Sequence, residues 1–140
     1  MTTTNPRTAA PIRSAAELTD HWTALLDPPI FGSRSLWLMW LQEDGQPLEL
    51  IIPVEDLPQL PDHSMLFGLL SMHEAVSDAR LDGGGHLAMA LCRPGRPEIT
   101  EDDDAWVDAL GEVLDDHLDA GWSLHLAAGG TVTSLIDLPS

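Results

Sequence analysis

Regular patterning starts at Ser14. Ser14-Ala15-Ala16-Glu17 has the form of a capping box: the serine oxygen accepts from the amide three residues on, and the glutamate reaches back. Leu18, Trp22, Leu25 and Leu26 follow at helical spacing, and Pro28-Pro29 ends that helix. From residue 35 to 43 the period changes. Leu36, Leu38 and Trp40 point one way and Trp37, Met39 and Leu41 the other, so both faces are apolar and a central strand covered on both sides is predicted. Asp44-Gly45 predicts a two-residue hairpin, and residues 48–52 return as its second strand. Pro53, Pro58 and Pro61 mark an extended connection.

Residues 64–81 predict a second helix, with Leu66, Leu69, Leu70, His73 and Val76 on one face and Asp82-Gly83-Gly84-Gly85 as its stop. Residues 86–92 form a short apolar strand, and Arg93-Pro94-Gly95-Arg96-Pro97 an irregular loop. Thr100 caps a third helix over 101–118, with Asp103 at the third position and an apolar stripe of Trp106, Ala109, Leu110, Val113, Leu114 and His117. Gly121 ends it; strands 122–127 and 131–136 follow, joined around Gly129-Gly130. The order α-ββ-α-β-α-ββ predicts an α+β fold: a central mixed sheet of about five strands with helices packed on it. Residues 1–13 lack periodicity and read as a flexible tail, leaving residues 14–140 as a single globular domain.

Composition narrows the function classes. The 140 residues suit one domain and are too few for a (β/α)₈ barrel of roughly 250. A hydrophobic fraction of 44% is that of a globular protein. The longest apolar run, residues 36–41, is far short of the roughly 20 that span a membrane, and the N-terminal segment has no apolar core of a signal peptide. A soluble, cytoplasmic protein is the expectation. One cysteine, Cys92, excludes an intramolecular disulfide. Six basic residues, all arginine, stand against 23 acidic ones, for a net charge of −17. Such a surface repels a phosphate backbone, so direct nucleic-acid binding is not expected, whereas a basic protein partner, or a role as a mimic of nucleic-acid charge, is physically allowed. G/C-rich codon usage is the plainer source of the skew, and a salt-adapted surface is a further one.

The candidate chemistry is sparse. His73-Glu74 opens like a zincin helix, but Ser77 stands where the second histidine belongs, four residues on along the same face. Cys92 ends a strand beside Arg93 and Arg96, which favour a thiolate; a small buried strand residue is the plainer reading. The loop 93–100 lies between a strand and a helix N-terminus, the right topology for an anion site, yet Asp102, Asp103 and Asp104 crowd that terminus. On the third helix Asp104, Asp108, Glu112, Asp115 and Asp119 recur at three- and four-residue spacing. Asp115, Asp116 and Asp119 oppose the helix dipole, so helix stability does not account for them. The stripe is a solvated face or a surface for a basic partner. Arg93, Arg96, Asp103, Asp108 and Glu112 are the candidate contact residues, and no catalytic, cofactor or metal set is assigned.

Arg34-Ser35-Leu36-Trp37-Leu38, Arg93-Pro94-Gly95 and Thr100-Glu101-Asp102-Asp103-Asp104-Ala105-Trp106 resemble an uncharacterised family of small actinobacterial proteins. The element order over residues 34–137 resembles, more distantly, the JAB/MPN metalloprotease-like domain and its RadC-type branch. Pro94-Gly95 and Thr100 to Asp103 fall where that branch has its Pro-Ser-Gly and Ser-x-x-Asp segments. Its histidine ligands fall on Leu91 and Arg93, only Asp103 matches a ligand, and Glu49 and Glu55 compete for the place of its catalytic glutamate. A catalytic zinc takes three protein ligands, so the resemblance implies a metal-free relative. The expectation is an acidic, non-catalytic protein-interaction module, monomeric or homodimeric. The alternatives are a hydrolase with an unrecognised site and an acidic inhibitor of a basic nucleic-acid-binding protein.

Overall fold

The computed structural model describes residues 11–81, 85–115 and 121–137. Three helices, α1 (Ala15–Leu25), α2 (His63–Val76) and α3 (Glu101–Leu114), accompany five strands: β1 (Ser35–Leu41), β2 (Pro47–Glu55), β3 (His86–Cys92), β4 (Trp122–Ala128) and β5 (Thr131–Ile136). The strands form one mixed sheet in the order β2-β1-β3-β4-β5. The hairpins β1–β2 and β4–β5 are antiparallel, β3 lies antiparallel to β1, and the α3 crossover makes β3 and β4 parallel. The fold is therefore the α+β arrangement that the patterning predicts.

The sheet is covered on both faces. Leu36, Leu38 and Trp40 of β1 join Leu87, Met89 and Leu91 of β3 beneath α2 and α3. Met39 and Leu41 share the opposite face with Ala88, Ala90 and Cys92 of β3 and Ala127 of β4, beneath Leu18 and Trp22 of α1. The asymmetry has a steric purpose. Small side chains on the α1 face let that helix seat a fully buried indole close to the strands. The opposite face, where every β1 and β3 side chain (Leu36, Leu38, Trp40, Leu87, Met89 and Leu91) is large, supports two helices.

Several details differ from the sequence expectation. β2 runs on through Pro53 to Glu55, because an edge strand tolerates a missing N–H that an inner strand would not. The first hairpin closes with Gln42 donating to Gln46 at 2.8 Å, so its loop is the three residues Glu43, Asp44 and Gly45. Ser14 caps α1 as expected, accepting from the Glu17 amide at 3.1 Å, but the Glu17 carboxylate accepts from the Arg13 amide instead of the cap's own. Part of the expected tail is packed: Ile12 is 6% exposed and its N–H donates to the Gly45 carbonyl at 2.9 Å. α2 passes at Val76 into a π-helical turn, Ser77–Leu81. Asp82, Gly83 and Gly84 of the expected stop, and residues 116–120 including Asp116, His117 and Asp119, lie outside the described residues. Among the described residues no helix is long and apolar enough to cross a membrane.

Candidate functional site

In sheets with parallel strands, ligands collect outside the carboxyl ends of the strands, near helix N-termini. Here that place is the junction of β3, the loop 93–100 and α3. The protein fills it with its own charges. The Arg93 Nε donates to Asp103 Oδ1 at 2.8 Å and Nη2 donates to Oδ2 at 2.8 Å. Nη1 donates to the carbonyls of Pro94 and Arg96 at 3.1 and 2.8 Å, and Nη2 also to that of Glu98 at 2.8 Å. The guanidinium's five N–H bonds are thereby all used. Thr100 donates its amide to Asp103 Oδ2 at 2.9 Å and accepts the Asp103 amide at 3.2 Å, completing the expected capping box. Burial alone would raise the Asp103 carboxyl, but the bonds from Arg93 and Thr100 hold it below its ordinary value. The β4–β5 turn closes over the loop: at Gly129, whose φ is +58°, a Cβ would stand 2.5 Å from Pro97 Cδ.

Two of the candidate contact residues are therefore withdrawn from solvent. Arg93 is 3% exposed and Asp103 0%, so neither presents its charge to a partner. Arg96 is exposed, with its carbonyl turned in towards Arg93. Nearby, Gln59 Nε2 donates to Asp102 Oδ2 at 2.6 Å, and Arg34 approaches the same carboxylate at 3.9 Å.

Three histidines, His73, His86 and His125, are buried at separate places in the fold. His73 accepts the Trp40 indole N–H at Nδ1, 3.1 Å, on the face beneath α2 and α3. His125 lies on the α1 side, where Thr19 Oγ1 sits 2.8 Å from Nε2. That hydroxyl already donates to the Ala15 carbonyl at 3.0 Å, so Nε2 carries the hydrogen and donates to it. Nδ1 is then a buried acceptor with no partner among the described residues. His86 Nε2 meets Ser123 Oγ at 2.8 Å. Burial lowers both His86 and His125 to about 4. Cys92 is fully buried, and burial pushes its thiol up to about 12, so the adjacent arginines produce no thiolate. No group of three or more histidine, cysteine or carboxylate side chains that could hold a metal ion occurs among the described residues.

An open groove of about 810 Å³ runs beside α3. One wall is Val107, Asp108, Gly111, Glu112 and Asp115 of α3; the other is Trp122 at the start of β4 and Ile136 at the end of β5. Asp108, Glu112 and Asp115 are exposed, and the Trp122 Nε1 donates to Asp115 Oδ1 at 2.8 Å. This bond ties the indole to α3 across the groove. Of the candidate contact residues, Asp108 and Glu112 are the two brought together here. Asp115 was readable from its spacing to Glu112, since residues three and four apart share a face. Trp122 and Ile136 were not, because they reach the groove through strand order and carry no local signal. No family model matches the chain, and neither a curated protein nor a solved structure matches it.

Proposed function

We propose that this chain is a non-catalytic, acidic protein-interaction module that takes a basic segment of a partner into the groove beside α3. The observation that carries this reading is the groove's lining: three exposed carboxylates, Asp108, Glu112 and Asp115, face the apolar Trp122 and Ile136, and no cation stands among the described lining residues. An arginine or lysine side chain suits such a surface, laying its aliphatic stem on apolar atoms while its charged head meets carboxylates. The overall charge of −17 steers a basic partner towards it. The dispersal of the other chemistry supports the same reading. His73 and His125 lie on opposite faces of the sheet, and the thiol is buried, so they share no cleft.

The test is titration of fluorescently labelled arginine-rich peptides with the purified protein, at several salt concentrations. Binding is expected to weaken steeply with salt and to fall about tenfold, or about 1.4 kcal/mol, in the Asp108→Asn/Glu112→Gln variant. Both side chains are exposed, so this variant keeps its fold. Failure of every basic peptide to bind, or binding indifferent to both salt and the substitutions, overturns the proposal.

A further inference from the structure

The two edges of the sheet are built differently. β2 carries Pro47, Glu49, Pro53 and Glu55, and prolines and charges are what edge strands use to refuse further pairing. β5, with the sequence Thr-Val-Thr-Ser-Leu-Ile, has no proline and no charge, and its residues are of the kind strands favour. Among the described residues β5 pairs with β4 alone. α1 packs against β5, where Val132 joins the α1-side core, so one face of the strand is supported while its outer backbone row has no strand beside it among the described residues. Ile136, at the end of β5, lines the acidic groove.

We propose that β5 is an acceptor edge: a partner's basic segment pairs with it as a sixth strand and sets alternate side chains into the groove. This rests on the basic-partner reading above and adds its mode of binding. The spacings agree. Alternate side chains of a strand recur every ~6.6 Å, and residues four apart on a helix, as Asp108 and Glu112 are, rise by ~6 Å. Main-chain bonds along β5 would give affinity irrespective of sequence, and the acidic wall would select a segment with arginine or lysine at every second position. Charge also decides against a second copy as the occupant. Two chains of −17 each would repel one another, and neither offers a cation among the described residues of the groove.

The test uses the intact protein and a synthetic peptide of about eight residues alternating arginine with valine, a length that covers a typical strand. Two further peptides carry N-methyl groups on alternate residues, one in each frame. Their side chains and charge are unchanged, but each lacks one row of N–H donors. One frame is expected to bind at least about tenfold more weakly, and the other close to the parent, because one row only faces β5. Amide hydrogen exchange in β5 is expected to slow when the parent peptide binds. If both frames bind like the parent and β5 exchange is unchanged, strand addition fails while the groove reading stands. If no peptide binds, the groove reading fails first. Sedimentation as a dimer with β5 protected in the absence of peptide would make a second copy the occupant. Tighter peptide binding after deletion of residues 1–10 would make the chain's own N-terminal segment the occupant. Either result overturns the proposal.

Discussion

Arg93 and Asp103 stand ten residues apart and meet in two parallel hydrogen bonds of 2.8 Å, sealed from solvent beneath the β4–β5 turn. Breaking such a buried pair by removing one partner leaves the other charge stranded. Arg93→Met is therefore expected to cost about 3–5 kcal/mol in urea denaturation. The double variant Arg93→Met/Asp103→Leu is expected to recover part of that loss, because the uncompensated carboxylate is gone. A single variant of wild-type stability would remove the pair's structural role.

His86 and His125 make the fold sensitive to mild acid. In the folded chain burial lowers each from 6.5 to about 4. The folded state therefore holds fewer protons than the unfolded state between those values. Stability is full above about pH 6.5 and falls as the pH drops towards about 4, with a loss on the order of 3 kcal/mol for each histidine. Asp103 acts in the opposite sense and lower down: its contribution persists above 3.8 and is lost only as the pH falls through its still lower folded value. Urea midpoints at about pH 7.5 and about pH 5 read the histidine window while most carboxylates remain ionised. His125→Gln is expected to reduce that difference by about half, since His86 remains. An equal drop in the variant would assign the acid sensitivity to other groups.

Gly111 sits inside α3 on the groove wall. A Cβ there would lie 3.5 Å from Asp115 Oδ2 and 3.9 Å from Trp122 Cζ2, ordinary contact distances. Gly111→Ala is expected to stabilise the helix by about 0.5–1 kcal/mol while narrowing the groove and weakening basic-peptide binding. Thermal unfolding and the peptide titration measure the two effects separately. Loss of stability would mean that the site is tighter than these distances allow.

Cys92 is expected to be silent to thiol reagents in the native state. It is fully buried with its thiol pushed up to about 12. Labelling with a chromogenic disulfide at about pH 8 should proceed only through unfolding, and at once, with one equivalent, in denaturant. Rapid labelling of the native protein would contradict the packing of the α1 face.

Much of this architecture is legible in local spacing. The five positions that α2 buries, Leu66, Leu69, Leu70, His73 and Val76, are those its periodicity marks, and Thr100 with Asp103 announces the α3 cap four residues long. What resists local reading is pairing across distance. Arg93 and the acids of α3 look opposed in the sequence, one inviting an anion and the others repelling it. In the fold Arg93 is paired with one of those acids, Asp103, because the loop returns Arg93 to the helix start. The groove depends on strand order. Periodicity cannot say that β4 lies beside β3, nor that β5 ends beside α3, so Trp122 and Ile136 meet Asp108 and Glu112 only in three dimensions.

The prolines of β2 reach beyond that strand. A sheet that could accept a neighbour at both margins would be free to grow copy upon copy, in the manner of a fibril. With β2 closed, addition at β5 ends after one event. A guest segment that pairs there would form a finished complex. The molecule can thus keep one adhesive margin open without becoming a seed for unlimited polymerisation.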